Sequence, residues 1–160
     1  FLSYFGSGEP NYYHIRAARL PFVNGFKAVP AYVKLEAGTY CISATMLSHV
    51  YSPYRGPWLP QFEQEFQQLR GLERHFEEYA RNPLRRAELQ RDAPAERWED
   101  GWRRYNLLRF ARLCHYLRTR PRDAAIGHSI FIFRLNSAEV AAATGGPLTD
   151  WRNLVTNNVR

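Results

Sequence analysis

The sequence predicts an α/β domain built on a small, mainly parallel sheet, with strands near residues 1–5, 38–47 and 128–135 covered by helices. Two of the helices are long, at about 61–82 and 95–119. Three observations carry this expectation. Short apolar runs of strand length stand far apart in the chain, and the stretches between them show the spacing of amphipathic helices. Strands that alternate with helices are usually joined through parallel crossovers. The chain of 160 residues also suits a single domain, able to bury roughly 70% of its extended-chain surface in one core.

Taken in order, FLSYF at 1–5 is an apolar, aromatic run stopped by Gly6, as in a buried strand that ends at a turn. Pro10 then opens a short helix through NYYHIRAARL, because its missing N–H costs nothing in a first turn. Pro21, Gly25 and Pro30 mark the next stretch as loop, with one edge strand near 32–35. In GTYCISATML, residues 38–47, Tyr40, Ile42, Ala44 and Met46 line one side, and Cys41, Ser43, Thr45 and Leu47 the other. Apolar or small residues on both sides predict a central strand covered on both faces.

After the proline-rich aromatic turn YSPYRGPWLP, residues Phe62, Phe66, Leu69, Leu72, Phe76, Tyr79 and Ala80 recur at helical spacing. Asn82 before Pro83 ends that helix, and the polar stretch up to residue 94 reads as a linker or a short helical turn. The second long helix stops before Pro121. HSIFIFRL at 128–135 is the last strand, and NSAEVAAATGG is a small-residue helix capped at its start and ended by Gly145 and Gly146.

Composition excludes wholesale disorder, since 45% hydrophobic and 23% charged residues are ordinary globular values. The 15% aromatic share is higher than usual. Tyrosine and tryptophan fill cores, and their polar handles also suit surfaces that stack on sugars, bases or a membrane interface. The net charge of +7 is concentrated, because residues 101–122 hold seven arginines and no acid whereas 60–100 are net acidic. Cys41 and Cys114 have no CxxC spacing and lie among apolar neighbours, so they read as core thiols, with a bridge as the alternative in an oxidising compartment. No apolar run approaches the roughly 20 residues of a bilayer span, and no basic-then-apolar leader is present. The chain therefore reads as a soluble domain. Its start at Phe1, inside a strand, makes it read as a fragment of a longer protein.

Two constellations could bind a ligand. On the basic helix, Phe110, Ala111, Leu113, Cys114 and Leu117 form an apolar arc with Leu107, while Trp98, Tyr105, Arg109, Arg112 and Tyr116 fall opposite. Arginines interleaved with aromatics suit single-stranded nucleic acid or anionic lipid, which makes Arg103, Arg104, Arg109 and Arg112 a candidate basic surface. The competing reading has these stems lying over a neighbouring element and complementing the helix dipole. The second constellation is the opening strand, Gly6 and Gly8, and a helix start, an arrangement that presents backbone N–H groups to a phosphate or carboxylate. It lacks the third glycine and the lysine of a phosphate loop, and Glu9 would repel an anion.

His14, His49, His75, His115 and His128 show no metal-ligand spacing, so neither a metal nor a cofactor is expected. Ser43 and Ser129 lack the small-residue elbow of a nucleophile. Glu77–Glu78 and Glu99–Asp100 read as solvated helix faces. No convergent acid, base and nucleophile set can be assembled, so no catalytic residue is named.

Three segments, SYFGSGEPNYYHI, AGTYCISATMLSHVY and IGHSIFIFRL, together resemble the soluble C-terminal portion of bacterial multi-spanning membrane glycosyltransferases similar to dolichyl-phosphate-mannose protein mannosyltransferases. Gly6, Pro10, Tyr13 and Ile15 match the first motif, Gly38, Tyr40, Ile42 and Ser43 the second, and Ile126, Gly127, Ser129 and Ile130 the third. Where the family often has glycine after the tyrosines, this chain has His14. The resemblance implies a cell-membrane protein using a lipid-phosphate sugar donor, with the sugar-transfer acids in a membrane-embedded portion of the same polypeptide. This chain would then be an accessory domain on the periplasmic or extracellular side. Its ligand, a glycan or the lipid-phosphate sugar, would meet a rim formed by Tyr4, Gly6, Tyr12, Tyr13, Tyr40, Ser43 and Ser129. The second reading, a nucleic-acid-binding module using the arginine-rich helix, ranks below it.

Overall fold

The computed structural model describes residues 1–6, 8, 10–24, 27–29 and 32–146, and over these the chain is mixed α/β. Glu9 and the loop residues Gly25 and Pro30 lie outside the described residues. In chain order come β1 (Leu2–Ser3), a 3₁₀ turn (Pro10–Tyr13), β2 (Phe22–Asn24), β3 (Lys27–Val29), β4 (Gly38–Ser43) and α1 (Ala44–Leu47). Then follow α2 (Pro60–Arg70), α3 (Glu73–Arg81), α4 (Pro83–Asp92), α5 (Ala95–Arg118), β5 (Ala124–Ile126), β6 (Ile130–Leu135) and α6 (Ser137–Gly145).

The main sheet has the order β1-β4-β6-β5 and is mixed, which corrects the expectation of a mainly parallel sheet. Only β1 and β4 run parallel, whereas β4–β6 and β5–β6 are antiparallel. The physical reason is β5, a three-residue strand just before Gly127. The long helical crossover does lead from β4 to a strand of the same direction, as crossovers should, but that strand is the short edge strand β5. A turn through Gly127, at φ +56°, then reverses the chain and lays β6 between the two.

Other boundaries moved for local reasons. The strand expected over 38–47 stops at Ser43, because Ala44–Leu47 is rich in helix formers and winds into α1. The helix expected over 61–82 is two helices, broken at Gly71 and Leu72, where glycine is the costliest ordinary residue to keep helical. Asn82–Pro83 does end a helix, as expected. It is also a start, since the Asn82 side chain accepts from the backbone N–H groups of Leu84 and Arg85 and Pro83 sits at the first position of α4. The edge strand expected near 32–35 is absent, and the ribbon β2–β3 stands just before it. The basic helix and the small-residue helix lie where the periodicity placed them, the latter with a capping box between Asn136 and Glu139.

Two groups of buried side chains hold the layers together. Tyr40, Ile42, Phe133 and Leu135 of the sheet meet Phe110, Leu113, Cys114 and Leu117 of α5, with Val140 and Ala143 of α6. Phe66, Phe76, Tyr105 and Leu108 join α2 and α3 to the other flank of α5, and Trp58 packs against both groups. The alternate residues of the sheet, Leu2, Cys41, Ile130 and Ile132, are only half-buried and belong to neither group. The β4 strand is therefore deeply covered on one face, not on both. Among the described residues no helix is long and apolar enough to cross a membrane.

Both cysteines are free thiols. Burial pushes the Cys114 thiol well above its usual range, with Arg118 opposing. A thiol-reagent time course is expected to show Cys114 silent in the native protein and reactive only in denaturant, with any native reaction coming from half-buried Cys41. Rapid native labelling of Cys114 would contradict this packing.

Candidate functional site

Six of the seven residues expected at the rim gather at one end of the main sheet, where β1, β4 and β5 finish and β6 begins. The Phe5 N–H donates to Ser43 Oγ at 3.2 Å, and the Ala44 N–H donates to the Ser129 carbonyl at 2.8 Å, so the chain ends beyond β1, β4 and before β6 are tied together. The Tyr4 ring folds back over Gly6, where a Cβ would come within 2.1 Å of the phenol oxygen. Only glycine lets that ring lie there undisturbed. Gly8 lies 3.7 Å, from its own would-be Cβ, to the Tyr13 ring. Tyr12 and Tyr13 then stand edge to face with centroids 5.2 Å apart, 78% and 64% exposed respectively. Phe5 packs on Tyr51 with centroids 5.4 Å apart.

Tyr40 does not belong to this rim. It is fully buried, stacks on Phe1 at 4.4 Å and donates its hydroxyl to the Glu36 carbonyl. Being three residues back along β4, on the face packed against helices, it is a core residue. Ser43 lies at the rim but is itself buried, with its oxygen committed to the Phe5 backbone, so its part there is to hold the strand ends. Ser129 is exposed.

His14 ends the 3₁₀ turn at φ +56°, the left-handed region that favours glycine. The turn is closed by the Ile15 N–H, which donates to the Pro10 carbonyl at 3.0 Å. That tight reversal sets the two tyrosines outward, away from the core.

The four arginines do not form one surface, which corrects the expected basic face. Arg112 is fully buried and forks onto Glu63, with Nε to Oε2 at 2.8 Å and Nη2 to Oε1 at 3.0 Å. It also donates to carbonyls at the C-terminal end of α6, Ala143 at 2.8 Å and, one residue past the helix, Gly146 at 2.6 Å. Burial alone would raise the Glu63 carboxyl, but hydrogen bonds from Arg112, Gln67 and Trp58 outweigh it and hold the group below its usual range. Arg109, 6% exposed, donates to the Val33 carbonyl at 2.8 Å and lies 4.4 Å from the Tyr32 ring centroid. Arg103 and Arg104 are exposed and paired with Asp100 and Glu65. The helix turned its supposed outer face inward because α2, α3 and α6 cover it, and their carboxylates and carbonyls meet the guanidinium groups.

Glu77, expected to be solvated, accepts a hydrogen bond from the Tyr32 hydroxyl. Burial and this bond push the Tyr32 phenol up to about 12. Among the described residues no cluster of His, Cys, Asp or Glu could hold a metal ion. The sequence offered no signal for the internal partners of Tyr32, Arg109 and Arg112, since Glu77, Val33 and Glu63 lie 45, 76 and 49 residues from the groups they meet and Ala143 lies 31 from Arg112. No protein-family model, no curated protein and no solved structure matches the chain.

Proposed function

We propose that this chain is an accessory domain of a membrane glycosyltransferase that uses a lipid-phosphate sugar donor, held on the periplasmic or extracellular side of the membrane. Its partner is the membrane-embedded portion of the same polypeptide, and its aromatic rim positions a glycan or the sugar head of the donor. The observation that carries this reading is the pair Tyr12 and Tyr13, exposed and edge to face at the end of the sheet, beyond Gly6 and Gly8. Exposed aromatic rings with polar tips suit the apolar faces and hydroxyl edges of sugars, and open α/β sheets favour ligands outside strand ends. Further support comes from the meeting of all three motif segments at this end, and from the glycine-favouring backbone at His14, where the resembled family often has glycine.

The nucleic-acid reading is not favoured by the geometry, because Arg109 and Arg112 are internal and Arg103 and Arg104 already meet carboxylates. These four guanidinium groups therefore offer a single strand no aligned, free row.

The test is a titration of the domain with monosaccharides and polyprenyl-phosphate head groups, followed by NMR shifts of the tyrosine rings. Saturable shifts confined to Tyr4, Tyr12 and Tyr13 are expected. Tyr12→Ala and Tyr13→Ala should abolish them while changing stability by less than about 0.5 kcal/mol, as surface substitutions do. No response from any of these ligands would reject the rim as a binding site.

A further inference from the structure

A second site lies away from the rim, in the helical layer. Where the helical run breaks between α2 and α3, a cleft of about 510 Å³ opens between the α2–α3 joint, the segment 32–35 and α5, within the range of about 300–1,000 Å³ common to small-molecule sites. Its lining is polar and charged, carrying Lys34, Arg70, Arg74, Arg109, Glu73 and Glu77.

The floor is pre-set. Arg109 is pinned beneath Tyr32 by its bonds to the Val33 carbonyl and to Asn106 Oδ1, and its Nη1 lies 3.8 Å from Glu73. Tyr32 is itself fixed by its bond to Glu77, and the Tyr105 ring centroid lies 5.7 Å from the Arg109 Cζ. Arg74 is committed to Glu78 at 3.2 Å. Among the described residues neither Lys34 nor Arg70 meets a carboxylate, and the nearest polar contact of Arg70 is Gln67 Oε1 at 3.5 Å. The Arg70 guanidinium lies against the end of α6, where a Cβ on Gly145 would come within 2.7 Å of it.

Among the described residues four cations, Lys34, Arg70, Arg74 and Arg109, thus line one cleft with two acids, Glu73 and Glu77, and of the four only Lys34 and Arg70 meet no carboxylate. A bare anion would be attracted to Lys34 and Arg70 but repelled by the two carboxylates. A ligand with an anionic end and hydroxyl groups satisfies both, because hydroxyls donate to carboxylates while Arg and Lys bind the charge. We infer that this cleft binds a small polyhydroxylated anion, a sugar phosphate or a sugar acid, with its charge on Arg70 and Lys34 and its hydroxyls on Glu73 and Glu77. This inference stands independently of the rim.

The test is calorimetric titration of the 160-residue chain at low ionic strength with glucose 6-phosphate, glucuronate, glucose and inorganic phosphate. Glucose 6-phosphate, glucuronate or both should saturate, and which of them does so tells whether the anion is phosphate or carboxylate. Glucose should show no binding, and inorganic phosphate should bind more weakly than the sugar anion. Arg70→Gln and Lys34→Gln, both at exposed positions, should each weaken binding about tenfold, the loss of one charge-assisted contact. Glu73→Gln should narrow the preference for the sugar anion over inorganic phosphate. Tyr12→Ala should leave this binding unchanged, which separates the cleft from the rim. Failure of both sugar anions to saturate would overturn the inference. So would an Arg103→Gln variant that weakens binding as much as Arg70→Gln, since that would mark general charge attraction.

Discussion

Arg112→Ala is expected to destabilise the chain by about 3–5 kcal/mol, the range for removing one partner of a buried ion pair. The guanidinium is fully buried and holds Glu63 of α2 and carbonyls at the C-terminal end of α6 at once. Without it, a carboxylate whose side chain is only 16% exposed loses its counter-charge, and the C-terminal carbonyls of α6 lose their donors. Urea denaturation of wild type, Arg112→Ala and Arg112→Ala with Glu63→Gln measures this. The double variant should recover part of the loss, because no unpaired charge then remains in the interior. A loss under about 1 kcal/mol in the single variant would show that the pair does not hold α2, α5 and α6 together.

Acidification is the second large effect. His49 is 3% exposed, and among the described residues neither ring nitrogen makes a well-formed hydrogen bond, the Phe110 backbone being its one weak polar neighbour. Burial first, and Arg118 second, lower its pKa from 6.5 to about 4, and the Phe110 backbone opposes the shift without cancelling it. The folded protein therefore keeps the ring neutral while the unfolded chain protonates it, so stability falls as pH drops through 6.5 and levels off near 4. For His49 alone the loss across this window is about 3 kcal/mol. His115, half-buried and lowered to about 4 by burial and then by Arg118 and Arg112, acts in the same direction with a smaller share. The check is the stability difference between pH 7 and pH 4 in wild type and His49→Asn. Asparagine tolerates the left-handed backbone at this position, φ +53°, and does not titrate. An unchanged pH dependence in His49→Asn would remove His49 as the cause.

The two predictions differ in how far they could be read from the sequence. The apolar arc of the basic helix, from Leu107 through Leu117, was legible from spacing and is buried as expected. On its opposite side the burial of Arg109 and Arg112 bears out the reading in which their stems lie over neighbouring elements and overturns the basic surface, a choice periodicity leaves open because it reports only where apolar groups recur. Arg109 and Arg112 look like solvent-facing charges until Val33, Glu63 and the end of α6 are brought beside them. The same limit applies to His49, whose burial depends on Phe110 and its neighbours at far sequence separation. At the rim, Gly6, Tyr4, Tyr12 and Tyr13 were legible because a strand, a glycine turn and a proline-led turn are local. Tyr40 was not, since a tyrosine in a strand points into the core or out of it according to register.

By itself the sequence determined that the chain is mixed α/β, that residues from about 95 to 119 form one long helix, and that the opening glycines set off a tyrosine pair. Each of these follows from interactions over a few residues, namely propensity, capping and turn chemistry. Only the tertiary structure decided that the sheet is mixed, that two arginines lie inside, and that Lys34, Arg70 and Glu73 share one cleft. Those outcomes depend on which distant segments pair across the fold, and hydrogen bonds and charges of equal local pattern end buried or exposed according to the neighbour that covers them.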